Sequence, residues 1–140
     1  MKILILHGPN LNLLGRREPE IYGYETQNEL IDFIKKSFSN IEFSFFQSNH
    51  EGIIIDKIHE YIDIIDAIII NPGAFAHYSY AIRDAISILD IPIIEVHLSD
   101  IKKRENFRQK LVLSEVCDFT IFGKGKKGYV DAVQKIKELI

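Results

Sequence analysis

The sequence predicts a three-layer α/β sandwich: one five-stranded parallel sheet with helices on both faces. Three observations carry this. Five short apolar runs recur along the chain, and most are continuous rather than alternating, as strands covered on both faces require. Segments with apolar residues spaced 3, 4 and 7 apart lie between them, the pattern of amphipathic helices. Finally, 140 residues are room for one domain with a proper core, and too few for a (β/α)8 barrel, which needs about 250.

Taken in order, the first run is Ile3–Leu6. It is too short for the apolar part of a secretory signal and leads straight into His7-Gly8-Pro9-Asn10, so it reads as a buried strand. Thr26–Phe38 is a helix with Leu30, Ile34 and Phe38 on one stripe. Ile41–Phe46 mixes in Glu42 and Ser44 and reads as an edge strand. Glu51–Ile62 is a helix carrying Ile54, Ile55, Ile58 and Ile62. The strand Ala67–Ile70 follows, then a helix over Tyr78–Leu89 with Ala81, Ile82, Ala85, Ile86 and Leu89 inward. Ile91–Val96 is a strand, Arg104–Glu115 a helix, Phe119–Phe122 a strand and Tyr129–Leu139 the last helix. Strand and helix alternating five times, with right-handed crossovers, give a doubly wound sheet. Five strands suggest the flavodoxin-like order 2-1-3-4-5. The stretch from His7 to Tyr24 fits neither period. A loop of that length in a compact domain reads as a lid or binding loop, with the lid at about residues 15–24 of the single domain 1–140.

Composition removes several classes of function. Seventeen basic residues face twenty acidic ones, for a net charge of −3, so there is no basic excess to bind nucleic acid by counterion release. Cys117 is the only cysteine. It can form neither an internal disulfide nor a cysteine-based zinc cage, and it fits reduced, cytosolic surroundings. No apolar run approaches the ~20 residues of a membrane span. No His, Asp and Glu grouping has metal-ligand spacing.

In an open α/β sheet, ligands bind beyond the carboxyl ends of the strands, where the strand order reverses. Here that point lies between the first and third strands. The strand ends there deliver Asn10, Asn71, His77, His97 and Ser99 to one crevice, a set suited to hydroxyls, carbonyls or carboxylates. Glu95 and His97 are two apart on a strand and share a face. A carboxylate so placed holds one imidazole nitrogen and turns the other outward, as a general acid or base needs. Arg104 and Arg108 are four apart; spacing alone leaves a solvated basic face and an anion clamp equally open. Gly123-Lys124-Gly125-Lys126-Lys127-Gly128 matches G-x-G-x-x-G, but no strand with an acidic residue follows it. It reads as a tight turn into the last helix rather than a nucleotide site. A phosphoacceptor receiver domain fails because Asn71 stands where its aspartate would be, and because Gly8-Pro9-Asn10 replaces its acidic pair. His50 and His59 read as surface residues.

Six blocks, in order, resemble type II 3-dehydroquinate dehydratase. They are Gly8-Pro9-Asn10-Leu11-Asn12-Leu13-Leu14-Gly15-Arg16-Arg17-Glu18-Pro19 with Tyr22-Gly23; Gln47-Ser48-Asn49-His50-Glu51-Gly52; Asn71-Pro72-Gly73-Ala74 with His77; Ile94-Glu95-Val96-His97-Leu98-Ser99; Arg104-Glu105-Asn106-Phe107-Arg108; and Gly128-Tyr129. The resemblance implies a cytoplasmic hydro-lyase of the shikimate pathway that turns 3-dehydroquinate into 3-dehydroshikimate through an enolate. It implies no metal, no cofactor, no nucleic acid or membrane partner, and self-association as a homododecamer of four trimers. By motif position it implies Tyr22 as the base and His97 as the acid, with Glu95 orienting His97. Arg17 would stabilise developing charge with support from Arg104, and Asn10 would help hold the enolate. Asn71, His77 and Arg108 would bind ring hydroxyls, and Leu98 and Ser99 the carboxylate. Asp84 would reach into a neighbouring subunit's site. Tyr78 and Leu111-Val112 depart from the family pattern, which bears on the packing around His77 and on a subunit contact. The other reading is a non-catalytic binding module for a polyol acid or nucleotide; the presence of Tyr22, His97 and Arg17 together speaks against it.

Overall fold

The computed structural model describes residues 1–140. Strands β1 (Lys2–His7), β2 (Glu42–Gln47), β3 (Ala67–Asn71), β4 (Ile93–His97) and β5 (Phe119–Phe122) form one parallel sheet of order β2-β1-β3-β4-β5. The long loop after β1 carries a single helical turn, α1 (Pro19–Tyr22). The crossovers are α2 (Gln27–Ser37), α3 (Glu51–Tyr61) and α4 (Tyr80–Ser87), and α5 (Lys127–Leu139) follows β5.

The continuous apolar runs are continuous because the sheet has a core on each side. Ile3, Ile5, Ala67, Ile69, Ile94 and Val96 face Leu30 and Ile34 of α2 and Tyr129, Val133 and Ile136 of α5. Leu4, Leu6, Ile68, Ile70 and Ile93 face Ile54 and Ile58 of α3 and Ile82 and Ile86 of α4. Each buried Ile, Leu or Val among them contributes roughly 1.5–3 kcal/mol by leaving water. At the edge, β2 is only partly buried, in line with its mixed composition. Thr26 starts α2 with a capping box: its Oγ1 accepts from the Glu29 N–H at 3.2 Å, and Glu29 Oε2 accepts from the Thr26 N–H at 2.9 Å. Similarly, Ser79 Oγ accepts from the Ile82 N–H at 3.1 Å, so α4 begins at Tyr80 rather than Tyr78.

One expected helix is absent. Arg104–Glu115 contains no α-helix; after a 3₁₀ turn at Ile101–Lys103, two more, Asn106–Gln109 and Ser114–Val116, take its place. The backbone here makes short local bonds, such as the Arg108 N–H to the Glu105 carbonyl at 3.0 Å, and also bonds across the chain. The Val112 N–H donates to the Ala76 carbonyl at 2.8 Å, and the Lys110 carbonyl accepts from His77 Nδ1 at 2.8 Å. Adjacent Val112 and Leu113 are both buried and anchor the segment in the core. This segment roofs the face of β4 that carries Glu95 and His97.

Where β1 and β3 end, the backbones interlock. The Gly8 N–H donates to the Asn71 carbonyl at 2.8 Å, and a Cβ on Gly8 would lie 2.1 Å from the Pro72 carbonyl oxygen. Gly73, at φ +57°, would place its Cβ 3.0 Å from the Pro9 carbonyl oxygen. Neither position has room for a side chain.

Candidate active site

The carboxyl ends of β3 and β4, the long loop and the 3₁₀ segment close around one pocket. Its lining includes Arg17, Tyr22, Asn71, His77, His97, Leu98, Ser99, Arg104 and Arg108, all expected from the sequence, together with Leu11, Gly73, Ala74 and Ile101. Glu95 lies behind the wall, fully buried, and reaches the pocket through His97. Two further expected residues do not line the pocket. Asn10 is exposed at φ 69°, with its N–H held by Asn49 Oδ1 at 2.9 Å. Asp84 lies on α4 with its side chain 76% exposed, 3.4 Å from Arg83.

The pocket has two charged arms. On the loop arm, Arg104 Nη1 donates to the Tyr22 hydroxyl oxygen at 2.6 Å, and the Arg17 guanidinium lies 4.5 Å from the ring centroid. The sequence pointed to Arg17 as the main partner of Tyr22; the direct hydrogen bond comes from Arg104, with Arg17 over the ring face. Both cations lie against the phenol ring or its hydroxyl. Arg104 also lies 3.9 Å from Glu18 and 3.4 Å from Ser99 Oγ, so it ties the loop to the end of β4.

On the strand arm, His97 Nε2 donates to Glu95 Oε1 at 2.6 Å. The carboxylate accepts only, so the imidazole presents Nδ1 to the pocket. His77 stacks beside it, ring centroids 6.5 Å apart, and Phe107 meets His77 edge-on at 5.5 Å. The Lys110 carbonyl takes the Nδ1 proton of His77, which leaves Nε2 as an acceptor for a ligand hydroxyl. Burial, followed by the nearby charges of His97 and Arg108, outweighs the Lys110 bond and keeps the pKa of His77 below its usual value. Arg108 is held at the rim by Glu105, Nε to Oε2 2.5 Å; that contact holds the Glu105 carboxyl below the usual range. Arg104 and Arg108 both line the pocket, although no helix places them.

Sequence reasoning missed the support under Asn71. The Tyr129 hydroxyl accepts from Asn71 Nδ2 at 3.2 Å and donates to His7 Nε2 at 2.9 Å. Burial lowers the pKa of His7 to about 4 and pushes the Tyr129 phenol up, so both groups are neutral at neutral pH. Asn71 Oδ1 accepts from the Gly73 N–H at 3.3 Å, and the carboxamide is thereby fixed in one orientation. His7 stands opposite Asn71 in the β1–β3 register. That pairing is the signal that could have linked them.

The glycine-rich segment before α5 is a turn, as expected. Its Gly123 and Gly125 N–H groups donate to the carbonyls of Ser99 and Leu98 at 3.0 and 3.1 Å. It braces the carboxyl end of β4 rather than cradling a phosphate. His50 and His59 are exposed. Tyr78 is 58% exposed and packs edge-on against Phe75, so it stands outside the packing around His77.

The family model for class II dehydroquinase matches residues 1–137. The 3-dehydroquinate dehydratase of Caldicellulosiruptor saccharolyticus is 53% identical over 142 residues, covering 99% of this chain and 98% of that protein. That of Thermotoga maritima is 49% identical over 140 residues, covering 99% and 96%. The crystal structure of a type II dehydroquinase from Butyrivibrio crossotus superposes with a TM-score of 0.95 at 50% identity, covering 98% of this chain and 97% of that one. One from Propionibacterium acnes gives 0.92 at 39% identity, covering 97% and 96%. With the flavodoxin-like fold and a match over nearly its whole length, the chain belongs to the class II dehydroquinase family.

Proposed function

We propose that this protein is a hydro-lyase that dehydrates 3-dehydroquinate to 3-dehydroshikimate, a shikimate-pathway step, by anti elimination with Tyr22 as base and His97 as acid. Family membership supports the reaction. One observation carries the roles: a phenol bonded to a guanidinium and an imidazole backed by a carboxylate line the same pocket.

The substrate is a β-hydroxy ketone, so the hydrogens beside its carbonyl are acidic and an enolate route is open. Tyr22, as phenolate, takes the C2 proton, and the C–H electrons move into the enolate. Arg104 and Arg17 support the phenolate before transfer and offset negative charge nearby afterwards. The enolate then expels the hydroxyl group, which leaves as water with a proton from His97 Nδ1. Glu95 compensates the positive charge on the imidazole before it gives up that proton. Solvent exchange returns the proton from Tyr22 and restores the one on His97.

In this reading Asn71, His77 Nε2 and Arg108 hold ring hydroxyls, and Leu98 and Ser99 take the carboxylate. Asn10, which lies outside the pocket lining here, would reach the enolate oxygen only through water. The loop at about residues 15–24 is a lid that closes over substrate and brings Arg17 and Tyr22 in together. Asp84, exposed on α4, serves the site of a neighbouring subunit in a cytoplasmic homododecamer of four trimers. No helix is long and apolar enough to cross a membrane.

The test is optical. The product is a conjugated enone and the substrate is not, so turnover raises ultraviolet absorbance. We expect that rise, unchanged after dialysis against a chelator, and a particle of twelve chains on sizing. A flat trace with substrate binding confirmed would favour the non-catalytic binding module.

A further inference from the structure

We propose that Ser114 and Thr120 are positioning residues for this dehydration: a one-way chain of hydroxyls that holds Glu95 as an anion and so keeps the Nε2 proton of His97 on its ring. The proposal rests on His97 being the acid.

Glu95 is fully buried on β4. Its Oε1 meets His97, and its Oε2 accepts from Ser114 Oγ at 2.6 Å. Thr120 Oγ1 lies 2.9 Å from Ser114 Oγ. A carboxylate has no proton to give, so the single hydroxyl proton of Ser114 goes to Glu95. Thr120 must therefore donate to Ser114, and the chain runs one way from β5 to β4. Thr120 pairs with Glu95 in the β4–β5 register, which puts the two side chains on one face of the sheet. Ser114 comes from the last 3₁₀ turn of the roof, which the fully buried Leu113 anchors.

The consequence is chemical. A buried carboxylate with two donors is satisfied as an anion, and the Nε2 proton stays on the ring. Without Ser114 the anion keeps one donor, and that donor's proton is drawn toward Glu95. The resulting neutral pair no longer supports an imidazolium facing the substrate, so the acid weakens while the substrate-binding groups stay in place. Neither hydroxyl lines the pocket, so an effect on turnover would have to pass through the Glu95–His97 pair.

Ser114→Ala, Thr120→Val, Ser114→Thr, His97→Ala and the double variant Ser114→Ala/His97→Ala are compared with the unmodified enzyme by enone absorbance and thermal midpoint. Loss of one hydrogen bond to a charged group predicts a fall in kcat of about tenfold for Ser114→Ala, with KM within about twofold. Thr120→Val, one bond further out, loses about two- to threefold. Ser114→Thr keeps the hydroxyl and recovers most of the rate. In the His97→Ala background, Ser114→Ala costs nothing more, because both act through one ring. The proposal is overturned if Ser114→Ala keeps its kcat, if the loss falls on KM, or if the same factor is lost without His97. Should Ser114→Ala fail to fold, Thr120→Val, nearly isosteric, decides on the same criteria. Normal turnover by His97→Ala would instead overturn the acid assignment, a result distinguishable from a silent Ser114→Ala beside an inactive His97→Ala.

Discussion

The two arms of the pocket are built in opposite ways. Tyr22 sits half-buried on a one-turn helix in a long loop, and its partner Arg104 is 82 residues away in sequence. His97 sits on a central strand, 6% exposed, and its partner is two residues away. One arm is assembled by charges that reach across a gap; the other is set by the pleat of a strand. In the proposed mechanism the loop arm opens to admit substrate and the strand arm gives it a fixed target, so that a moving base and a fixed acid divide the work of gating and alignment.

The comparison can be broken from either side. The largest expected effect is at the reacting groups. Tyr22→Phe should lower kcat at least ~100-fold with KM nearly unchanged, the scale of general base catalysis. Steady-state kinetics by enone absorbance check this, and near-normal turnover rejects Tyr22 as the base.

Acid should act on the core side of the site. His7 is neutral when folded, with a pKa of about 4 against 6.5 for its ordinary value. The unfolded chain therefore takes up a proton that the folded chain refuses as pH falls from about 6.5 to about 4. Stability is unaffected by this group above that window and falls through it, by about 3 kcal/mol in all. Urea unfolding of the unmodified chain and His7→Gln at pH 7.5 and 4.5 should give a gap that shifts in favour of the variant at low pH. A pH-independent gap rejects the neutral buried histidine.

A smaller effect belongs to the loop arm. Arg104→Gln keeps a donor but removes the charge, and should lower kcat about tenfold, equivalent to about 1.4 kcal/mol. It should also speed proteolysis between Gly15 and Tyr24 while leaving the sheet resistant. Unchanged cleavage would mean that Arg104 does not tie the loop down. The smallest effect sharpens the loop's far boundary. Thr26→Ala removes the cap of α2 and should cost about 1 kcal/mol in a denaturant titration, with kcat unaltered.

Most of the sheet was legible because its signal is local. A run such as Ile68-Ile69-Ile70 needs cover on both sides wherever it lies. Glu95 and His97 were legible as a pair for the same reason, since the strand period alone puts them on one face. The segment from Arg104 to Glu115 was not. Its apolar spacing allows a helix, but its long-range partners are the Ala76 carbonyl and the His77 ring, the latter 33 residues away. Tertiary bonds overrode the local preference. The bond from Arg104 to Tyr22 and the neutral triad His7, Tyr129 and Asn71 were invisible on similar grounds: each joins residues that only folding brings together. Ser114 and Thr120 carry no sequence signal, because an isolated hydroxyl beside an apolar run is ordinary.

The joint between Gly8-Pro9 and Pro72-Gly73 has a further consequence. The two strand ends at the crevice are held at contact distance by main chain as well as by the side chains of His7, Tyr129 and Asn71, so trimming one of those side chains leaves the main-chain contact in place. A single added methyl at Gly8 would pry the joint apart and take Asn71 with it, far out of proportion to its size.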